Sequence, residues 1–257
     1  MIISFVNNKG GVLKTTLSTN IAGAFLKIKA NSRVIIVDLD GQGNVSATFG
    51  QHPERLTNTI INVLKKEISV DDSIINTQCI GLDILPCNHE LSFVDLDVAN
   101  GDYKASDIKE VLMELEKKYD YVLVDTPPAM STIVSVAMSV SKLIVIPFEP
   151  DQYSMLGLMR IVETMEKFRK KNPKLSAIVV PTKFSTRTRL HNDVLSLVQN
   201  KLKNKDVNVT KQYISYTTKS ASAVGYERLP IILLSQKNKY QDEYLAVAKE
   251  ILNKLNN

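Results

Sequence analysis

The sequence predicts an α/β protein with a doubly wound, mainly parallel sheet that is flanked by helices on both faces. Short apolar runs alternate with segments of helical period along all 257 residues, as in a chain of βαβ units. Most of these runs are continuously apolar, which is what strands of a parallel sheet need when both faces are covered. In such a sheet, ligands bind at the C-terminal ends of the strands.

The apolar runs are the predicted strands, and they span residues 2–7, 33–40, 82–87, 119–125, 142–148, 176–182 and, with a weaker pattern, 212–215. The predicted helices span residues 15–29, 56–66, 105–118, 131–140, 153–171, 188–203 and 239–255. No linker rich in Ser, Pro or Gly interrupts this alternation, so we expect one domain over residues 1–257.

The apolar runs and the cysteines exclude several classes of protein. No run reaches the roughly 18 residues that span a bilayer, and the N-terminus lacks the residue order of a signal peptide. We therefore expect a cytoplasmic protein. Cys79 and Cys87 have no spacing typical of a zinc site or a disulfide framework, so we interpret them as buried or incidental thiols.

The net charge of +5 hides an uneven distribution along the chain. Residues 1–150 contain 13 Lys and Arg against 18 Asp and Glu, a balance of −5. Residues 151–257 contain 19 against 9, a balance of +10. Solvated helix faces account for part of this excess, yet its concentration favours a polyanion partner, with nucleic acid ahead of an anionic membrane.

The segment NNKGGVLKTT, residues 7–16, joins the first predicted strand to the first predicted helix. The N–H groups of such a loop and of the helix N-terminus face an anion. Gly10 and Gly11 allow close backbone approach, Lys14 supplies a cation for the β- and γ-phosphates, and Thr15 offers a hydroxyl to Mg²⁺. The pattern favours phosphate binding over an ordinary Gly-rich turn.

Carboxylates end two other predicted strands. Asp38 and Asp40 close the second strand, and Asp125 closes the run YVLVD. These strand ends converge on the crevice that holds the loop, where one carboxylate can hold the Mg²⁺ shell and another can position an attacking water. Each Asp alone is also compatible with a simple turn cap. Together with the loop, however, they favour nucleotide hydrolysis and a fold of the P-loop NTPase type.

Three segments, NKGGVLKTT, VDLDGQGN and YDYVLVDTPPA, together resemble the deviant Walker ATPases of the ParA/MinD superfamily, and specifically the small, Soj-like ParA proteins that partition DNA. PFEPDQYSMLGL and VVPTKFSTRTRL are similar to later family motifs, so the resemblance covers nearly the whole chain. The family loop is K-G-G-x-G-K-[ST]-[ST], and its first, signature lysine corresponds to Lys9. The family has no glycine at the position before this lysine, which is Asn8 in this chain.

The resemblance implies roles at the nucleotide site. Lys14 would contact the β- and γ-phosphates, Asp40 would orient the attacking water, and Lys9 would reach the partner subunit's ATP across a two-fold interface. Asp38 would assist the metal and loop network. The implied Mg²⁺ group is Thr15, Asp40 and Asp125, with Asp125 acting through a water. The implied ATP-binding residues are Lys9, Gly10, Gly11, Val12, Leu13, Lys14, Thr15 and Thr16, with Ser215 and Tyr216 near the base.

The sequence departs from the family pattern in three places. Leu13 replaces the glycine before the loop lysine, so we expect a negative φ there and a side chain that points away from the phosphates. Gly41 replaces a proline and is expected to loosen the segment after Asp40. Residues 214–219, ISYTTK, stand where the family commonly has I-P-R and a basic residue, which changes the adenine pocket.

The basic C-terminal part then has an implied role. Arg187 matches the arginine of the family motif R-T-x-L, Arg189 follows it, and Lys219 falls near a later basic position. On a dimer these side chains would form a surface for DNA phosphates, with sequence-independent and salt-sensitive binding. The run Lys201, Lys203 and Lys205 either extends this surface or is a solvated helix end.

The resemblance therefore implies a nucleoid-associated ATPase that segregates a chromosome or a plasmid. ATP would close a homodimer, the dimer would bind non-specific DNA, and a ParB-like adaptor would stimulate hydrolysis to ADP and phosphate. The alternative is a MinD-like positioning ATPase at the membrane, although the last predicted helix is better interpreted as part of the core. A relative of the nitrogenase iron protein is disfavoured because the cysteines are poorly arranged for a cluster.

Overall fold

The computed structural model describes residues 1–256. It confirms the predicted fold class, a mainly parallel sheet between layers of helices, and the sheet has nine strands among these residues. The prediction of one domain extends to Asn257, which lies outside the described residues. The strands are β1 (Ile2–Phe5), β2 (Val34–Asp38), β3 (Ile75–Asn76), β4 (Leu82–Leu85), β5 (Tyr121–Asp125), β6 (Leu143–Phe148), β7 (Ser176–Phe184), β8 (Val207–Val209) and β9 (Ile214–Ser215).

The strand order is β3-β4-β2-β5-β1-β6-β7-β8, and β9 pairs with β7. Only the short β3 runs antiparallel to its neighbour among the described strands. β1, β2, β5 and β6 are buried along their whole length, because helices cover both faces of the sheet. This burial is the reason that their sequences are continuously apolar.

The helices are α1 (Lys14–Ile28), α2 (Asn44–Thr48), α3 (Ile60–Leu64), α4 (Val70–Ser73), α5 (Val94–Asn100), α6 (Ala105–Lys118), α7 (Thr132–Val140), α8 (Gln152–Phe168), α9 (Arg189–Leu202), α10 (Lys219–Ser222) and α11 (Lys239–Asn256). α1 and α11 pack together on one face of the sheet, and α6, α7, α8 and α9 cover the other. Within residues 1–256, no helix combines the length and apolarity needed to cross a bilayer.

The helix predicted over residues 56–66 is wrong in length, because only Ile60–Leu64 is helical. Thr59 and Asn62 form a capping box that starts the helix late. Lys66, at φ 62°, then turns the chain out of the helix. The sequence also misses α5 and the edge strand β8, which are too short for a clear period.

Candidate active site

The loop between β1 and α1 has two left-handed residues, Gly11 at φ 73° and Leu13 at φ 70°. Left-handed residues in a loop turn successive N–H groups towards one point, which is an arrangement that binds anions. α1 begins directly after this loop, at Lys14, so its free N–H groups point to the same place. The loop therefore has the backbone geometry of a phosphate site.

The expectation of a negative φ at Leu13 is wrong. Leu13 instead has a left-handed conformation, at φ 70° and ψ 33°. For a residue with a Cβ this conformation costs roughly 1–2 kcal/mol. The side chain of Leu13 is partly buried and packs against the core cluster that includes α1 and α11, which offsets part of that cost.

The loop lines a cleft of about 770 Å³ at the C-terminal edge of the sheet. Its lining includes Gly10, Gly11, Leu13, Lys14, Thr15 and Thr16 from the loop and α1. Val12 is fully buried instead, and its carbonyl accepts a hydrogen bond of 3.1 Å from the Thr182 hydroxyl. Val12 therefore anchors the loop to β7.

The three carboxylates predicted from the sequence meet beside this cleft. The strand register pairs Asp38 with Asp125, and it pairs Phe5, just before the loop, with the same Asp125. Both Asp38 oxygens are used, because Oδ1 accepts from the Asp40 N–H at 3.2 Å and Oδ2 from the Val45 N–H at 3.0 Å. Asp38 therefore orients the segment that carries Asp40.

Asp125 has one oxygen in use and one without a partner. Its Oδ2 accepts a hydrogen bond of 2.5 Å from the Thr15 hydroxyl, whereas its buried Oδ1 has no partner among the described residues. Asp40 is only half-buried and lines the cleft itself. The structure thus brings Thr15, Asp40 and Asp125 close to one another.

Burial shifts the pKa values of the charged groups at this site. It raises the pKa of Asp125 to about 7, although the Thr15 hydrogen bond and the Lys14 charge act in the opposite direction. It raises the pKa of Asp38 well above its usual value, with the Asp125 charge adding to the effect. It lowers the pKa of Lys14, against the charges of Asp125 and Asp40. The site therefore favours an additional cation beside Asp125.

Mg²⁺ fits these residues. The free Oδ1 of Asp125 and the Thr15 hydroxyl are hard oxygen ligands beside the phosphate loop. Over residues 1–256 no group of three or more His, Cys, Asp or Glu side chains is placed to hold a metal. Mg²⁺ does not need such a group, since it binds to one or two carboxylates together with waters and substrate phosphates.

Lys9 does not line the cleft. Its Nζ donates to Asp151 Oδ2 at 2.7 Å and to Ser154 Oγ at 3.3 Å, and it lies 3.9 Å from Glu149 Oε2. Burial raises the pKa of Asp151, but its hydrogen bonds from Lys9 and Ser154 outweigh this and lower it. Within one protomer, Lys9 is therefore paired with acidic side chains at the start of α8 rather than with the phosphate loop.

The segment after Asp40 is packed closely, despite the replacement of the family proline. Gly41 is buried, and a Cβ at this position would lie 2.2 Å from Ser92 Oγ and 2.9 Å from the Ser92 nitrogen. The Cys87 thiol donates to the Asp40 carbonyl at 2.9 Å. Cys87 thus supports this segment, a role that its isolated position in the sequence does not indicate.

The opposite end of the cleft is formed by the residues after β9. Tyr216, Thr217 and Thr218 line it, together with Val224 and Pro230. Ser215 does not line it, because its N–H and hydroxyl both donate to the Glu243 carboxylate at 2.8 Å. Of the two residues predicted near a base, the structure brings only Tyr216 to the cleft.

The residues predicted to bind DNA lie on the same edge of the sheet as the cleft. The register pairs Phe184 with Ser215, so the segments that carry Arg187 and Lys219 both leave the sheet there. The Arg189 side chain is 94% exposed, with Nε 3.6 Å from Asp193 Oδ2. Lys219 lines a separate, smaller cleft of about 240 Å³.

Comparisons with known proteins agree with this geometry. The family model AAA_31, described as an AAA domain, matches residues 1–177. A ParA family protein of Mycoplasma pneumoniae is 58% identical over 267 residues, which cover 100% of this chain and 98% of the relative. The chromosome partitioning protein ParA of Myxococcus xanthus is 26% identical to this chain, and the match covers 98% of this chain and 87% of the relative.

A solved structure confirms the fold class. Cobyrinic acid a,c-diamide synthase from Mycobacterium smegmatis, with a bound ATP analog and magnesium, matches this chain with a TM-score of 0.82 and 24% identity. The match covers 98% of this chain and 94% of that one. At this identity the likeness shows the shared fold alone.

Proposed function

The chain belongs to the ParA family, and we propose from this membership that it is an Mg²⁺-dependent ATPase that segregates a chromosome or a plasmid. The observation that carries the proposal is the cleft at the C-terminal edge. It combines a loop of anion-binding geometry with Lys14, Asp40 and the Thr15–Asp125 pair. The name of the Myxococcus xanthus relative supports DNA partitioning as the process.

In this proposal the residues of the cleft divide the work of hydrolysis. The loop N–H groups and Lys14 bind the β- and γ-phosphates. Asp40, half-buried at the cleft wall, accepts a hydrogen bond from the attacking water and orients it towards the γ-phosphate. Thr15 and, through a water, Asp125 would hold Mg²⁺, which neutralises charge on the phosphates when bound.

We further propose that Lys9 couples nucleotide state to dimerisation. Its partners within the protomer, Asp151 and Ser154, are 142 or more residues away in sequence and lie at the start of α8. The Lys9 side chain is 43% exposed, so it is accessible for a different partner. In the ATP-bound homodimer, Lys9 would leave Asp151 and contact the phosphates held by the second subunit.

The dimer would then bind non-specific DNA through Arg187, Arg189 and Lys219, and a ParB-like adaptor would stimulate hydrolysis and release it. In this proposal the protein acts in the cytoplasm, on the nucleoid. The MinD-like alternative is less well supported, because the apolar side of α11, with Tyr244, Val247 and Ile251, is buried against the core. A membrane-binding helix would need an apolar face of its own.

The test compares DNA and lipid binding by the intact protein. With ATP and Mg²⁺ we expect retention on duplex DNA of random sequence, loss of that retention at high salt, and no binding to anionic liposomes. Replacing Arg187 and Arg189 together by Gln should weaken ATP-dependent DNA binding and leave basal hydrolysis unchanged. Liposome binding without DNA binding would favour the MinD-like function instead.

A further inference from the structure

Much of the positive charge of the C-terminal part lies away from the predicted DNA-binding residues. α8 runs back from the end of β6 to the start of β7, and α9 runs from the end of β7 to the start of β8. Both helices therefore end at the N-terminal edge of the sheet, opposite the cleft. Six exposed lysines, which we call the lysine edge, lie at these two helix ends: Lys167, Lys170, Lys171, Lys174, Lys201 and Lys203.

Ion pairs hold the two helix ends together. Arg169, just after α8, donates to the Asp206 carbonyl at 2.8 Å and to its carboxylate at 3.3 Å. Lys205 donates to Glu166 at 2.7 Å, and this pair joins the chain after α9 to the last turn of α8. These contacts bring Lys170, Lys171 and Lys174 close to the end of α9 as one continuous surface.

Two acidic side chains at these helix ends, Glu166 and Asp206, are already paired with basic ones. Asp206 also accepts from Lys254 at 2.8 Å, so it has two basic partners, and Glu166 is paired with Lys205. None of the six lysines forms an ion pair with a described residue, whereas Lys183 and Arg189 near the cleft edge do. Crowded like charges repel one another, and a polyanion would relieve that repulsion.

We propose that the lysine edge is a separate contact surface for double-stranded DNA, which binds phosphates without sequence preference and without ATP. Independence from ATP follows from its position, because both helix ends lie at the edge of the sheet away from the phosphate loop. DNA fits better than a membrane because residues 166–174 and 201–206 contain no exposed large apolar side chain to enter a bilayer. This inference rests on the proposed function only in its choice of DNA as the polyanion.

The surface has a consequence for the ATPase cycle. A protomer that has lost its ATP would keep a weak, salt-sensitive contact with DNA through the lysine edge. The cleft edge would remain free for a new nucleotide and for a second protomer. Release from DNA after hydrolysis would then be incomplete at low salt, and each protomer would carry contact surfaces at opposite edges of the sheet.

The test measures binding of the nucleotide-free full chain to a fluorescent duplex of random sequence over a salt series. In the variant Lys170→Gln, Lys171→Gln, Lys174→Gln we expect about tenfold weaker binding at low salt. The slope of log affinity against log salt should fall by roughly 2 to 3. The matched control removes three exposed lysines from the acidic half, in the variant Lys66→Gln, Lys109→Gln, Lys117→Gln, and should bind as the unmodified protein does.

A second variant keeps the test decisive. The double variant Lys201→Gln, Lys203→Gln should also weaken nucleotide-free DNA binding, so the proposal is tested even where the triple variant is poorly folded. ATP turnover should remain normal in every lysine variant.

If the unmodified protein without nucleotide does not bind DNA, the proposed role of the lysine edge is wrong. ATP-dependent DNA binding and the proposed function would not be affected by that result. Equal binding by the lysine variants and the control variant would overturn the proposed role as well. Binding to anionic liposomes in place of DNA would assign the surface to a membrane.

Discussion

The two edges of the sheet use charge in opposite ways. At the C-terminal edge, Lys14, Asp38 and Asp125 are buried, and this burial shifts their pKa values. At the N-terminal edge, the six lysines of the lysine edge are exposed and have no acidic partner among the described residues. Binding at the C-terminal edge therefore depends on the placement of single groups. Binding at the N-terminal edge depends on the number of charges.

The two edges should therefore respond differently to substitution. A buried charge acts through one geometry, so that a single change at the cleft removes a whole interaction. An exposed lysine contributes to a collective field, so that a single change has little effect and several changes add up. The following predictions test that contrast, in order of decreasing expected effect.

The largest effect is expected for Asp40→Ala at the cleft. Hydrolysis should fall by roughly 10²–10⁴-fold, because in the proposed mechanism the attacking water loses the carboxylate that orients it. ATP affinity should change little, since the phosphate loop and Lys14 remain. Steady-state phosphate release and binding of a fluorescent ATP analogue measure the two quantities separately. A variant that hydrolyses ATP at the normal rate would remove Asp40 from the mechanism.

The next effect concerns Lys9, which is exposed like the lysines of the other edge but is paired with an acid. Lys9→Ala should change the free energy of unfolding by at most about 1 kcal/mol, because an exposed ion pair contributes little. Turnover should nevertheless fall by roughly 10²-fold, since in the proposed dimer the phosphates held by the second subunit lose a cation. Light scattering with and without ATP should show the loss of the dimer.

Two variants serve as controls for Lys9. Lys65→Ala removes another exposed lysine with an acidic partner, Glu90 at 3.4 Å, and should leave turnover normal. Asp151→Asn releases Lys9 but keeps a good N-cap for α8, so ATP-dependent dimerisation should become stronger. An unchanged dimer in the Asp151 variant would mean that this ion pair does not compete with the ATP-bound state.

A smaller effect is expected at the end of the cleft that the residues after β9 form. Tyr216 is 68% exposed and lines the cleft, whereas Tyr226 is 86% exposed and does not line it. Tyr216→Ala should weaken ATP binding by roughly 2- to 10-fold through the loss of an aromatic contact. Tripolyphosphate, which has no base, should bind both proteins equally. Tyr226→Ala is the matched control, and a similar loss of ATP affinity there would refute a specific role for Tyr216.

The smallest effect concerns the stability of the phosphate loop. Leu13→Ala keeps the strained φ of 70° and loses packing, so it should lower the free energy of unfolding by about 1–2 kcal/mol. Leu13→Gly loses the same packing but relieves the strain, so it should be the more stable of the two variants. Urea unfolding of both proteins gives the order directly. The reverse order would mean that position 13 is unstrained.

Much of the fold could be predicted from the sequence because its central strands are buried on both faces. Burial along all of β2 and β5 requires the unbroken apolar runs that mark them in the sequence. The helix predicted over residues 105–118 agrees with α6 because its apolar residues recur at helical spacing and pack on the sheet. β3 and β8, at the edges of the sheet, have two and three residues and carry no such signal.

The candidate site was predictable only in part. The positions of Lys14, Asp40 and Asp125 follow from the strand order, because parallel strands end at a common edge. The support of Asp40 by Cys87 and the bonding of Ser215 to Glu243 depend on contacts between distant segments. No periodicity or spacing in the sequence reports such contacts, so neither the support that Cys87 gives to Asp40 nor the position of Ser215 outside the cleft can be predicted from it.

The fold class, the phosphate loop and the carboxylates at the strand ends can be predicted from local periodicity and strand order. The left-handed conformation of Leu13, the pairing of Lys9 with Asp151 and the position of six lysines at the edge opposite the cleft are visible only in the folded chain. Each of these features depends on which distant residues pack around a side chain. Packing of that kind is decided by three-dimensional neighbours, which a linear pattern does not contain.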